Sequence, residues 1–396
     1  MMSQVLEGIR ILDLTRVLAG PFTTMILADM GAEVIKIERP GVGDDSRHFG
    51  PYINDESVYF MSINRNKKSM TINLKHEKGK TIFMQMVEDA DIVIENFRPG
   101  TMERLGLGYE DLKEVNDKII YAASSGFGHT GPYSERPAYD AIVQAMGGLM
   151  SITGPKDGQP TRVGSSIGDI IAGLYTTIGI LAALRYRDKE GVGQKVDISM
   201  LDGQVSILEN AIARYFATGD SPKPAGNRHN SIVPFETFDT ADGEIMVAAG
   251  NDNLWKKLCK AIGTKDLADD ERFCSNPQRE KNYEDLRPIL QKQFENKTTS
   301  SWHEILLAEG VPNGPINNIE QVVNDPQVKA REMIVEVEHP KAGKVKMAGI
   351  PIKMSESQGK IVKPSPELGE HTYEVLEKLL GYTNEDILEL EDLGVL

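Results

Sequence analysis

The chain has 396 residues, 40% of them hydrophobic and 26% charged, with a formal net charge of −15. That describes one very large or two ordinary domains with material for a sizeable core, and the acidic balance argues against a nucleic-acid surface while leaving room for a local basic pocket that takes an anion. The two cysteines, Cys259 and Cys274, suggest neither a disulfide framework nor a metal site, the N-terminus lacks the pattern of a secretory signal, and Ile170–Leu184, the best candidate for a bilayer span, is short and rich in Gly and Thr; the expectation is a cytoplasmic protein with no membrane, metal or nucleic-acid partner.

Ile9 to Leu14 is a short β-type run, broken by Ala19-Gly20-Pro21, where Pro21 suits the first turn of a helix. Met25, Ile26, Leu27 and Met30 mark that helix's apolar face, Gly31 closes it, and Ala32 to Ile37 is the next strand. This is the βαβ unit of a parallel sheet. Glu38 sits where a nicotinamide-cofactor site keeps its acidic residue, but Leu18-Ala19-Gly20-Pro21 stands in place of Gly-x-Gly-x-x-Gly, which argues against a dehydrogenase. Gly41 to Pro51 is a polar loop with Arg47 and His48. Arg65, Lys67, Lys68 and Lys75 cluster around a strand, Ser69 to Leu74. They read as a solvated face or as a rim that meets phosphates.

Glu77 to Glu88 is helical and Asp91 to Glu95 a buried strand, followed by Asn96-Phe97-Arg98-Pro99-Gly100 at the strand's carboxyl end, where open α/β sheets place their ligands. Met102 to Leu107 resumes a helix. Ile119 to Ala123 is a strand, Ala138 to Met150 a helix and Gly154 to Val163 a loop. Ile170, Leu174, Ile178, Leu181 and Leu184 recur at helical spacing, predicting a helix from near Asp169 to Gly191. An Asp there is either an N-cap or, with free N–H groups nearby, a nucleophile. Lys195 to Ser199 is a strand and Asp202 to Tyr215 a helix. A linker follows at 217–230, then a hairpin of Phe235 to Thr240 and Glu244 to Ala248 about Asp242-Gly243. Helices at Asn253–Ile262, Tyr283–Asn296 and Ser301–Glu309, a turn-rich join at Val311–Pro315, a helical Pro326–Glu332, a hairpin about Lys341-Ala342-Gly343 and two acidic C-terminal helices complete the chain. The fold class is therefore α/β. Residues 1–216 form a large Rossmann-like parallel-sheet domain, 231–325 a smaller α+β domain, and 326–396 return to the first.

Several stretches, in order along nearly the whole chain, together resemble one family, the class III coenzyme A transferases. They are Leu6–Leu14 through Ala19-Gly20-Pro21, Gly31–Glu38, Gly43–Arg47, Asn64–Ser69, Glu95–Gly100, Gly168-Asp169, Gly226-Asn227-Arg228-His229 and Leu368–Thr372. The resemblance implies that Asp169 is the catalytic nucleophile, forming a mixed anhydride and then an aspartyl-CoA thioester. It implies that the coenzyme A thioester is a substrate, with no permanently bound cofactor, and that two copies interlock as a homodimer, threaded through the segments at 217–230 and 311–315. Arg16, Val17, Arg39, Asn96, Phe97 and Arg104 match positions that contact the coenzyme. Tyr59, Tyr139 and Gly250 match positions around the substrate, Gly250 in a gating loop that has only one glycine here. Leu18 replaces a glutamine of the formyl-CoA enzyme, which speaks against an oxalate specialist.

The loop motifs look most like those of the dicarboxylate-using members, so succinyl-CoA is the expected donor and a dicarboxylate the acceptor. Arg47 either pairs with the acceptor's second carboxylate or orders its own loop. Racemases of the same fold pair the aspartate with a histidine, where this chain has Ala138-Tyr139-Asp140; a phenol is a poor base at neutral pH. His129 is the one nearby substitute. A non-catalytic coenzyme-binding protein is the remaining alternative.

Overall fold

The computed structural model describes residues 4–396. Up to residue 218 strands and helices alternate: β1 (Arg10–Asp13), α1 (Ala19–Asp29), β2 (Glu33–Glu38), a two-residue pair β3 (Tyr52–Ile53) and β4 (Glu56–Ser57), α2 (Val58–Ile63), β5 (Lys68–Thr71), α3 (Glu77–Glu88), β6 (Ile92–Glu95), α4 (Thr101–Leu105), α5 (Tyr109–Val115), β7 (Ile120–Ser125), α6 (Asp140–Met146), α7 (Leu149–Ile152), α8 (Ile167–Glu190), β8 (Lys195–Ser199), α9 (Met200–Ser206) and α10 (Glu209–Thr218). Six of the strands form one sheet in the order β5-β2-β1-β6-β7-β8, every neighbouring pair parallel. The order reverses between β1 and β6, so the crevice at the carboxyl ends of those strands is the switch point of a doubly wound sheet.

Alternate residues of each strand serve opposite faces, and both faces are covered. Leu12, Ile35, Met70, Val93 and Tyr121 pack with Phe83, Leu112, Leu376 and Leu390 on one side. Ile11, Val34, Ile92, Ile94 and Ile120 pack with Leu27, Ile180 and Leu184 on the other. The long helix α8 is pressed onto α1. Thr23 donates to the carbonyl of Gly173 at 2.9 Å, and a Cβ on Gly173 would lie 2.8 Å from the Ala19 carbonyl oxygen. Only glycine permits that approach.

Beyond residue 218 come β9 (Phe235–Asp239), β10 (Glu244–Ala248), α11 (Asp252–Ala261), α12 (Asp266–Asp269), α13 (Asn276–Lys281), α14 (Tyr283–Phe294), α15 (Thr299–Ala308), β11 (Asn313–Pro315) and α16 (Ile319–Asn324). They share a core of Phe238, Trp255, Phe294 and Trp302. The chain ends with α17 (Pro326–Ala330), the hairpin β12 (Ile334–His339) and β13 (Gly343–Ala348), α18 (Thr372–Leu380) and α19 (Asn384–Asp392). One compact unit comprises the chain to Leu149, Arg162–Thr218 and Gln327–Leu396; the other comprises Met150–Thr161 and Gly219–Pro326.

Four readings need correction. The turn at Met150–Thr161 belongs with the smaller unit, where the Gly226 N–H donates to the Gly154 carbonyl at 3.0 Å. The expected join at Val311–Pro315 is in part the edge strand β11, paired antiparallel with β10. The helix expected over Ala138–Met150 is broken at Gly147-Gly148, with Gly148 at φ +87°. Helix α8 runs for 24 residues and is long and apolar enough, by length and composition, to cross a membrane, contrary to the shorter span read from the sequence; Ala172, Thr176, Ile180 and Leu184 on it are buried inside the protein.

Candidate active site

Asp169 is the third residue of α8, not its cap. The N-cap position is Ser166, whose side chain makes no capping bond. The capping role passes instead to Asp140, the first residue of α6, whose Oδ1 accepts the Gly168 N–H at 2.8 Å. Its Oδ2 accepts from Gln144 Nε2 at 2.8 Å, and Gln144 Oε1 in turn accepts the Val163 N–H. A Cβ on Gly168 would sit 2.7 Å from Val143 Cγ2 and 3.0 Å from Asp140 Oδ1, so the bare backbone lets this cap form. Asp169 is left with no hydrogen bond or ion pair among the described residues. It is half-buried, and burial, followed by the charge of Asp140, pushes its carboxyl up from 3.8 to about 7. An unpartnered carboxylate of raised basicity in the first turn of a helix is a competent nucleophile.

Tyr59, on α2, lies within the field of Asp169, Asp44 and Asp140. Burial first, then those three carboxylates, push its phenol up to about 12. It is a neutral O–H donor at neutral pH. Tyr139 precedes Asp140 and is 76% exposed. Gly250 lies in the smaller unit between β10 and α11, exposed, with open space where a Cβ would go.

A cavity of about 700 Å³ opens at the carboxyl ends of β1, β2, β5 and β6. Its wall includes Arg16, Arg39 and Phe97 from the sequence-predicted set. The turn after β1 is fastened twice. Asn96 accepts the Arg16 N–H at 2.9 Å and donates to the Arg16 carbonyl at 2.8 Å. Asp44 accepts the Val17 N–H at 3.0 Å, holding Val17 at φ +67°, a costly conformation for a β-branched residue. Leu18, half-buried, then starts α1. Arg104 does not line the cavity; it donates to Thr101, which does.

The charges on the wall can be paired off. Glu38 holds Arg47, Asp44 holds the fully buried Lys36 at 2.8 Å, and Asp45 holds Arg16 at 3.1 Å. Arg39 and Lys75 are exposed at the rim with no ion pair among the described residues. The cavity of an acidic protein is thus left with two free cations, the arrangement that suits phosphates.

Sequence reasoning missed Asn73 and the C-terminal Gly394 in this wall. The Asn73 N–H donates to the Val395 carbonyl at 2.7 Å, a long-range return with no local signature. The basic cluster around β5 is neither of the readings expected for it as a whole. Arg65 is buried against Asp29, Lys67 is buried against Asp13, and Lys68 bridges Glu33 and Glu374; Lys75 alone reaches the cavity. Arg47 is also committed. Its Nε and Nη2 donate to the two oxygens of Glu38 at 2.8 and 2.7 Å, its Nη1 and Nη2 reach the Pro366 carbonyl, and it stacks on Phe60. That leaves it ordering its loop, with no free fork for an acceptor carboxylate. The same pairing occupies Glu38, which read as a nicotinamide-site acid. His129 does not stand beside Asp169 as a racemase base: its Nδ1 meets Lys195 at 3.1 Å and its Nε2 faces Glu95 at 3.5 Å, while both oxygens of Asp140 are taken as above.

The model of the family described as CoA-transferase family III matches residues 6–372. The chain is 43% identical over 391 residues to the succinyl-CoA:glutarate CoA-transferase of Homo sapiens, covering 98% of this chain and 89% of that one. It is 46% identical over 350 residues to the acetyl-CoA:oxalate CoA-transferase of Acetobacter aceti, covering 88% and 89%. A crystal structure of a CAIB/BAIF family protein from Brucella suis superimposes with a TM-score of 0.85 at 39% identity, covering 95% of this chain and all of that one.

Proposed function

Because the chain belongs to CoA-transferase family III, we propose that it moves coenzyme A from succinyl-CoA to a dicarboxylate acceptor through covalent chemistry on Asp169. The enzyme transfers coenzyme A; the donor, the acceptor and the intermediates are the proposal. The observation that carries it is the Asp169 carboxyl, free of internal partners, half-buried and raised to about 7. In the first step its oxygen attacks the thioester carbonyl, forming a mixed anhydride and releasing the thiolate. The thiolate attacks the Asp169 carbonyl, forming the aspartyl thioester and releasing the donor acid. The acceptor carboxylate then attacks that thioester, and the thiolate takes the acceptor's acyl carbon, restoring Asp169. Each step exchanges one activated acyl for another, so no proton, electron or resident cofactor is consumed. Tyr59, a neutral phenol, is assigned to donate to the substrate carbonyl, and Arg39 and Lys75 to the phosphates of the coenzyme.

Glutarate and oxalate, named for the two relatives above, are both dicarboxylates, which supports the acceptor class. The likeness to an oxalate-named relative also weakens the exclusion of oxalate drawn from Leu18. A homodimer is proposed as well, supported by large apolar side chains left in the open, Phe216 at 80% and Ile178 at 60% exposure. The deciding test is mass spectrometry of the protein incubated with succinyl-CoA, then with glutarate or oxalate. A coenzyme-sized adduct on the Asp169 peptide, discharged by an acceptor and absent in Asp169→Ala, is the expected result. Turnover by Asp169→Ala at the native rate would refute it.

A further inference from the structure

Glu95 ends β6 with 2% of its surface exposed. Its Oε2 accepts the Phe97 N–H at 2.7 Å, and its Oε1 meets the Tyr121 hydroxyl at 3.3 Å and His129 Nε2 at 3.5 Å. The tautomer of His129 follows from its other nitrogen. The Lys195 ammonium has no lone pair, so Nδ1 accepts and Nε2 carries the hydrogen that faces Glu95. As a carboxylate Glu95 therefore accepts from the Phe97 N–H and the Tyr121 hydroxyl, with the His129 Nε2 hydrogen turned toward it at 3.5 Å. The remaining charges nearby are Glu103 on α4, which opposes its ionisation, Lys195 on β8, which favours it, and Asp197 on β8, engaged by the His129 N–H at 3.0 Å. Between Glu95 and Phe97 stands Asn96, which clasps the Arg16 backbone from both sides, and Phe97 itself lines the cavity with Arg16 5.8 Å from its ring centroid.

We propose that Glu95 is a positioning residue: its carboxylate fastens the Asn96–Phe97 turn, and through it the β1–α1 turn, so that protonating Glu95 loosens the wall that grips coenzyme A. A proton added there removes the charge that strengthens the Phe97 N–H bond and forces the Tyr121 hydroxyl to turn from donor to acceptor, so the turn is held less tightly. Burial foremost pushes Glu95 up to about 7, which places the change in the neutral range. The inference rests on the reading that this cavity takes coenzyme A.

The test is calorimetric titration of the full-length protein with free coenzyme A, from about pH 5.5 to 8.5, for wild type, Glu95→Gln, Tyr121→Phe and Arg39→Ala. Linkage of one proton limits the loss of affinity to about tenfold per pH unit below the midpoint. Wild type is expected to bind roughly three- to tenfold more weakly at pH 6 than at pH 8, beyond the slope that Glu95→Gln retains from the ligand's own titration. Glu95→Gln should bind at every pH as wild type does when acid. Tyr121→Phe removes a donor to the ionised form and should move the midpoint up. Arg39→Ala should weaken binding at every pH and keep the wild-type slope. A wild-type slope in Glu95→Gln overturns the proposal. If that variant does not fold by circular dichroism, an unmoved midpoint in Tyr121→Phe overturns it. Unchanged affinity in Arg39→Ala refutes the cavity reading itself, and the proposal falls with it.

Discussion

Replacing Asp169 by Asn should make the protein inactive and, above neutral pH, more stable. The carboxyl has its folded-state value raised from 3.8 to about 7, so its ionisation opposes folding. The sign follows from proton counting: between those two values the folded state binds more protons than the unfolded one, and stability falls as pH rises. The cost is absent below about pH 4, grows through the window and is constant above about pH 7. At about 1.4 kcal/mol per pH unit, the gap sets an upper limit of ~4 kcal/mol. Asp169 is only half-buried, so solvent screening reduces this to ~1–3 kcal/mol at pH 8. Asn keeps the shape and cannot ionise. Urea unfolding of both proteins at pH 5 and pH 8 should show the advantage of the Asp169→Asn variant widening by ~1–2 kcal/mol across that interval. In parallel, kcat/KM of the native enzyme should fall about tenfold per pH unit below about 7, because only the carboxylate attacks. An advantage of the variant that is equal at both pH values, or a variant less stable than the native protein at pH 8, would refute the reasoning.

Two further outcomes separate roles that the sequence left joined. Asp140→Asn keeps an oxygen for the Gly168 N–H but removes the charge beside Asp169, so the acid limb of kcat/KM should move down by about half to one pH unit. Burial is the larger cause of the raised value, so that limb should stay above the ordinary carboxylate range, and an unmoved limb would deny the coupling. Arg47→Ala strands the buried Glu38 and should cost ~3–5 kcal/mol in unfolding experiments, with the acceptor KM within about twofold of native. A tenfold rise in that KM with native stability would restore Arg47 to the acceptor.

The parallel sheet was legible because its strands are apolar on both faces, so Ile9–Leu14, Ala32–Ile37 and Asp91–Glu95 announce themselves without alternation, and Asn96–Gly100 falls at a strand end where ligands gather. Asp169 was legible as a helix-start carboxylate, yet local pattern alone cannot say whether it caps. That depends on Asp140, 29 residues earlier in the sequence, taking the Gly168 N–H instead. The basic cluster failed for the same reason. Lys67 looks like a surface lysine until Asp13, Asn64 and the Pro21 carbonyl are folded around it. Glycine pairs were also underweighted, since Gly147-Gly148 ends α6 where the apolar periodicity runs on.

The buried pairs under the cavity have a consequence for its chemistry. Taking Asp13, Lys36, Asp44 and Lys67 out of water costs several kcal/mol per ion, and such pairs are weak sources of stability. What they do here is fix direction. Lys36 pairs with Asp44 at 2.8 Å and donates to the Thr15 carbonyl at 2.7 Å, and Asp44 in turn holds Val17. Burial, only partly offset by Asp13, holds Lys67 down to about 8. The acids of the wall and floor thus face cations of the protein itself, which offsets their repulsion of an anionic ligand. The attraction that remains comes from Arg39 and Lys75 at the rim, where phosphates would arrive, while Asp169, stripped of partners, keeps the basicity that an internal cation would remove.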